Sequence, residues 1–197
     1  ALEEHLKPLA HLGAPLDEFV DPVRGLVRGG KRLRAQLCAA GWLAAGGPAD
    51  PSHPAVLHAG TALELFQAAA LVHDDVMDGA HTRRGLPAAH RALAARHTAA
   101  GRLGDADLFG VSGAILLGDL LYTGAFRMIV DLNDMDVMRV LSDATNVIAE
   151  GEVMYRAARV APVRDAERHL DIVSRRRAKL FEAGAQCMAI LHRATPE

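Results

Sequence analysis

Apolar residues recur at helical spacing along almost the whole chain, and no run of four or more residues alternates cleanly over β-branched side chains. That periodicity admits helices and little else. Thirty-seven of the 197 residues are Ala, the best helix former. The predicted fold class is therefore all-α. The length suits one ordinary domain, and no repeat, low-complexity stretch or linker divides it, so residues 1–197 read as a single domain. Apolar residues make up 50%, enough for a sizeable core, and 23% are charged, which excludes a wholly disordered chain. A net charge of −2 gives no basic field, and 4% aromatics are too few for base-stacking platforms, so nucleic acid is excluded as a partner. Cys38 and Cys187 lie far apart in apolar stretches and read as buried free thiols of a reducing compartment. No basic segment followed by an apolar stretch opens the chain. Its apolar runs are interrupted by Asp, Gln, Arg or His well before the roughly 18 residues of a span. The expectation is a cytoplasmic protein with no membrane span.

Breakers place the elements. An amphipathic piece covers Leu2 to Leu12, and Pro15 suits the first turn of a helix to Val27. A helix from Lys31 to Ala45 follows the Gly29-Gly30 break. After the loop from Gly46 to Pro51, Ser52 is the expected N-cap of a long helix reaching Asp78. A loop with Gly79, Gly85 and Pro87 leads to a helix over Ala88–Ala100. Further helices are predicted over Asp107–Leu132, Asp134–Ala158 and Arg164–Ala194, with Pro162 separating the last two. The acidic stretch Asp131 to Asp136 reads as a turn in which Asp134 or Asp136 caps the next helix.

Composition does not explain Leu71-Val72-His73-Asp74-Asp75-Val76-Met77-Asp78. Asp74 and Asp78 are i and i+4, so both carboxylates fall on one face, about 6 Å apart along the axis. Like charges at this spacing destabilise a helix, and the C-terminal end is the wrong end for anions. A cation reverses both penalties. Hard carboxylate oxygens suit Mg²⁺, which completes its octahedron with water and substrate phosphate. A merely solvated helix end fits poorly with the preceding run Ala68-Ala69-Ala70-Leu71-Val72. Beyond the motif stand Arg83, Arg84 and Gly85. Paired guanidinium groups beside carboxylates suit a polyanion bridging both, although charge balance alone is the plainer alternative. Upstream, Gly29-Gly30-Lys31-Arg32-Leu33-Arg34 opens a helix, a place that favours phosphate, with Lys31 and Arg34 expected on one face. It lacks the Walker spacing. No two of the ten histidines are i and i+4, so a helical zinc site is not expected.

Together these motifs resemble the trans-polyprenyl diphosphate synthase family. The resemblance is carried by GGKRLR at 29–34, LELFQAAALVHDDVMDGAHTRRGLPAAH at 63–90 and FGVSGAILLGDLLYTGAF at 109–126. EGE at 150–152 and LFEAGA at 180–185 also fit. The resemblance implies an isoprenoid-synthase-type helical bundle around a central cavity. It implies a prenyltransferase that joins isopentenyl diphosphate to an allylic diphosphate with Mg²⁺. Asp74 and Asp78 would be the metal ligands, with Asp75, the third residue of the catalytic aspartate cluster, either a further ligand or the residue that orients the cluster. Lys31, Arg34, Gln67 and Arg84 match the isopentenyl-diphosphate positions. Arg83 and Arg176 match the allylic-diphosphate positions. Ala70 and Ala69, four and five residues before the first aspartate, would gate chain length, with Phe66 as the next bulky residue, either a floor or plain core packing. Small residues at the gate point to geranylgeranyl diphosphate as product, with a somewhat longer prenyl chain as the alternative. A homodimer is also implied; the Gly- and Ala-rich helix Asp107 to Leu132 is a candidate contact surface or, equally, the centre of the bundle.

Two departures stand out. Arg176-Arg177-Ala178 occupies the place of the family's Lys-Thr-Ala. No second aspartate-rich motif follows Leu180-Phe181, so the synthase domain reads as cut short at its C-terminus. Two other classes compete with an active synthase. A non-catalytic partner subunit of a heteromeric synthase accommodates the missing motif, but does not need Asp74, Asp78, Arg83, Arg84 and Lys31 together. A class I terpene cyclase shares the first aspartate motif, but has no use for GGKRLR and the paired arginines.

Overall fold

A computed structural model describes residues 6, 13–28, 30–50, 52–161 and 165–194. The expected opening helix, Gly29 and Pro162 lie outside the described residues, apart from Leu6. Helices dominate: α1 (Ala14–Arg28), α2 (Leu33–Ala44), α3 (Pro54–Met77), α4 (Ala89–Ala99), α5 (Ala106–Val130), α6 (Met135–Arg159), α7 (Ala166–Val173) and α8 (Lys179–Ala194). A two-stranded hairpin, β1 (Thr82–Arg83) and β2 (Leu86–Pro87), interrupts them. Its two-residue strands are too short to show a β period in sequence.

The chain forms two compact units. The first comprises residues 1–31 and 64–127. Here α1 packs on α4, with Val20, Val23 and Leu93 fully buried. Phe19 meets Phe109 edge to face at 5.6 Å, and Arg102 grips Glu18 through two bonds of 2.8 and 2.7 Å. Gly110 allows α5 to approach α4: a Cβ there would overlap the His90 carbonyl oxygen. Phe66, Ala69, Val72, Leu117 and Leu121 complete this core.

The second unit comprises residues 32–63 and 128–197. α8 packs on α2 and α6, burying Cys38, Leu141, Ala144, Leu180, Ala183 and Met188. Cys38 and Cys187 are free, buried thiols, and burial pushes the Cys187 thiol up to about 12. Trp42 is buried, donates from Nε1 to the Pro48 carbonyl at 3.1 Å, and has the His53 and His192 rings at 4.4 and 5.6 Å. Between α7 and α8 the helix widens into a π segment, Ser174–Ala178, rather than continuing regularly.

Local chemistry moves some predicted boundaries. Ser52 does not cap α3. Its amide and hydroxyl both bond Asp50 Oδ1 (2.8 and 2.7 Å), while His53 Nδ1 accepts from the Ala55 amide at 3.3 Å and Pro54 occupies the first helical position. Asp134 is the cap of α6, accepting from Asp136 and Val137 at 2.9 and 3.0 Å. By length and composition, α3 and α5 are each apolar enough to cross a membrane, contrary to the count of interruptions in the sequence. In α3 that window is 61% buried within the protein and carries Glu64 and Gln67, as a core helix does.

Candidate functional site

The C-terminal half of α3 places three carboxylates in two environments. Asp74 is half-buried and Asp78 exposed, on the stripe that also holds Gln67, Ala70 and Leu71, all half-buried. Asp75, about 100° round the helix from Asp74, is 2% exposed. The helix stops just beyond. Gly79 adopts φ 63°, its amide bonds the Val76 carbonyl at 3.2 Å, and the Ala80 amide bonds the Asp75 carbonyl at 2.9 Å. This is a Schellman termination, and it turns the chain straight into the arginine hairpin.

In that hairpin Arg83 pairs with Leu86, so Arg84 and Gly85 form the two-residue turn. Both have positive φ, 53° and 78°, as a type I′ turn demands. A non-glycine residue held in this region is strained, and such strain concentrates at functional sites. The turn sends the two arginines different ways. Arg83 folds back onto α3, where Nε donates to Asp75 Oδ1 at 2.9 Å and Nη2 reaches the same oxygen. Nη2 also lies 3.8 Å from Asp74 Oδ2. The bond to Asp75 keeps the guanidinium charged, raising its pKa further. The Arg84 guanidinium lies against Gly30, at φ 96°, where a Cβ would come within 2.9 Å of Nη1. Asp75, Arg83 and Arg84 share a small pocket with Pro22, Val23 and Val72.

The remaining predicted positions are distributed as follows. α2 begins at Leu33, with Arg32 at φ 52°, so Lys31 lies outside the helix and does not share a helical face with Arg34. Arg34 stacks on the Phe181 ring at 4.6 Å. Ala69 is fully buried, whereas Ala70 is half-buried on the Asp74 stripe. Phe66 is fully buried and meets Tyr122 edge to face at 4.9 Å. Arg176 lies in the π segment, with Nε 2.6 Å from Glu152 Oε2 and its guanidinium carbon 3.9 Å over the Tyr155 ring. Arg175 bonds Glu150 at 2.9 Å, and Gly151 leaves the room both arginines need. In the sequence the Glu150-Gly151-Glu152 and Arg175-Arg176 segments stand 24 to 25 residues apart. Their opposite charges were the available signal, but only the π turn brings them into register.

Among the described residues, no three Asp, Glu, His or Cys side chains converge on a point that could hold a metal. Asp74 and Asp78 offer two hard oxygen donors on one partly exposed stripe, with a basic hairpin alongside. That donor set fits Mg²⁺, which is held by one or two carboxylates and takes its other ligands from water and substrate phosphate.

The polyprenyl synthetase family model matches residues 17–197. The chain is similar to octaprenyl diphosphate synthase of Escherichia coli (strain K12), at 35% identity over 169 residues, covering 86% of this chain and 46% of that protein. It is similar to the all-trans-nonaprenyl-diphosphate synthase (geranyl-diphosphate specific) of Rhodobacter capsulatus, at 33% over 202 residues, covering 96% and 56%. It also resembles the structure of geranylgeranyl pyrophosphate synthase from Corynebacterium glutamicum complexed with isoprenyl diphosphate and magnesium. There the TM-score is 0.84 and the identity 32%, over 99% of this chain and 57% of that one. The chain thus spans about half the length of the curated relatives it matches. Helical content, aspartate and arginine motifs, family match and structural likeness agree: the chain, an isoprenoid-synthase helical fold, belongs to the polyprenyl synthetase family.

Proposed function

We propose that the protein is a trans-prenyltransferase that joins isopentenyl diphosphate to an allylic diphosphate. The observation that carries this reading is the Asp74–Asp78 stripe of α3 beside a hairpin whose two arginines diverge, one onto Asp75 and one against Gly30. Asp74 and Asp78 hold Mg²⁺, which supplies charge stabilisation for the departing diphosphate. Arg83 binds the allylic diphosphate and Arg84 the isopentenyl one, each with a fork that matches phosphate oxygens. Lys31, Arg34 and Gln67 assist on the isopentenyl side and Arg176 on the allylic side. Fixed guanidinium groups stabilise charge as it develops without reorganising. The C–O bond to diphosphate breaks first, the isopentenyl double bond attacks the allylic cation so formed, and a proton passes from the condensed product to the released diphosphate. No protein nucleophile is required. Ala70, small and on the Asp74 stripe, leaves the growing chain room, with Phe66 as a floor, and geranylgeranyl diphosphate is the product. Residues 1–197 belong to one synthase domain of a cytoplasmic protein. The exposed apolar side chains of α5, Leu108, Ile115 and Leu116, support a homodimer.

The test is incubation of the full-length protein with isopentenyl diphosphate, allylic diphosphates and Mg²⁺, followed by chromatography of the prenyl product. Product formation is expected, falling by a factor of a hundred or more (about 3 kcal/mol of transition-state stabilisation) in Asp74→Ala. Unchanged turnover in that variant overturns the metal assignment. Absence of product overturns the enzyme reading and favours a non-catalytic subunit.

A further inference from the structure

We propose that Tyr155 is a positioning residue: its ring is the platform that holds the Arg176 guanidinium in one plane, with an edge on Glu152, for binding the allylic diphosphate. The inference rests on the reading of Arg176 as a residue of the allylic side. Arg176 stands where the resemblance calls for a lysine. The two cations are not interchangeable. An ammonium is a compact point charge, whereas a guanidinium meets phosphate through a planar fork, which works only when its plane is aimed. An arginine at this place therefore needs a partner that sets the plane.

Helix α6 supplies that partner. Gly151 lets the π segment come close, since a Cβ there would stand 2.7 Å from Arg175 Cβ and 3.0 Å from Arg176 Cγ. The stem of Arg176 passes this point and its head reaches the next turn of α6. Nε donates to Glu152 Oε2 at 2.6 Å, and Nη2 lies 2.5 Å from the same oxygen. Contacts to a single oxygen leave the plane able to rotate about the line to that oxygen. The Tyr155 ring removes this freedom, with the guanidinium carbon 3.9 Å from its centroid. Arg159 is more distant from the ring, at 5.8 Å. Arg156 Nε lies 2.8 Å from the other Glu152 oxygen, which leaves Oε2 to Arg176. The Arg176 side chain is only 15% exposed, so water weakens the attraction between cation and ring face less than it would on the surface. Arg34 rests on a different ring, that of Phe181 at 4.6 Å. The isopentenyl side therefore has a platform of its own and does not depend on Tyr155.

The test is calorimetric titration of the full-length protein, at saturating Mg²⁺, with dimethylallyl, geranyl and farnesyl diphosphates, and with isopentenyl diphosphate as the control. Tyr155→Leu keeps much of the bulk and removes the ring face. It is expected to weaken binding of the tightest allylic diphosphate about five-fold, and to change isopentenyl diphosphate affinity less than about two-fold. Tyr155→Phe keeps the face and should stay within about two-fold of the parent. In an Arg176→Gln background, Tyr155→Leu should cost less than about two-fold. A series of fluorinated phenylalanines at position 155 separates a platform from a packing role. Fluorine drains the negative ring face and barely alters the shape, so allylic affinity should fall with each added fluorine. The same series carries the test if Tyr155→Leu does not fold. Parent-like allylic affinity in Tyr155→Leu, an equal loss for isopentenyl diphosphate, an equal loss with and without Arg176, or indifference to fluorination overturns the inference. Failure of the parent to bind any of the three allylic diphosphates instead overturns the functional reading beneath it.

Discussion

His90 is buried, and its Nδ1 has no hydrogen-bond partner among the described residues. Burial is the main reason its pKa lies below the usual imidazole value. The Arg91 charge adds to that effect, and the Asp75 carboxylate opposes it. The sign follows directly. Above about pH 6.5 the ring is neutral in both folded and unfolded chains, and the contribution to stability is complete. As pH falls below that value the unfolded chain takes up a proton that the folded protein resists, so stability declines toward the folded pKa. The limiting slope for one proton is about 1.4 kcal/mol per pH unit. Urea denaturation between pH 8 and 5 should show this decline, and His90→Asn should flatten it. An unaltered slope in the variant would show that His90 is not its source. The carboxylates were legible in sequence because two of them stand i, i+4 at the end of an apolar run. The inward turn of Asp75 was not, since a carboxylate's burial depends on where its cation comes from, and Arg83 arrives by way of a hairpin.

At the scale of elements, helix boundaries lay within about two residues of expectation wherever Gly, Pro or a cap punctuated the chain, as at α4 and α6. Two elements escaped. The hairpin has strands of two residues and an Arg-Gly turn, which is a weaker signal than Asn-Gly or Asp-Gly. The π segment sets Arg175 and Arg176 against Glu150 and Glu152 beside Gly151, long-range contacts that no local propensity encodes. The Gly- and Ala-rich character of α5 was legible, and Gly110 shows what a small residue there controls. A Cβ there meets the His90 backbone carbonyl, which belongs to α4 and has no rotamer with which to yield. Gly110→Ala should destabilise the protein by about 2–3 kcal/mol through overpacking, whatever it gains in helix propensity. Chemical denaturation measures this directly, and a stabilised variant would mean that α4 and α5 separate without cost.

For the molecule as a whole, helical periodicity and alanine content were enough for the fold class, and two specific motifs were enough for the family. Product length is a property of the whole cavity, and the relatives range from geranylgeranyl to nonaprenyl synthases. The proposal that the chain grows along the Asp74 stripe gives a definite expectation. Ala70→Phe should shift the product to shorter prenyl chains on chromatography, because it puts a ring one turn below Asp74. An unchanged distribution would place the tunnel on another face of α3. The solitary tryptophan has a separate consequence. Trp42 sits between two imidazoles in the unit formed by residues 32–63 and 128–197, and the chain has no other indole. Its emission is therefore an optical gauge of that unit alone, blind to the unit that carries the aspartates and the arginine hairpin. Fluorescence and far-ultraviolet circular dichroism followed through one melt would report on half the protein and on all of it, and any gap between the two curves would measure how independently the halves come apart.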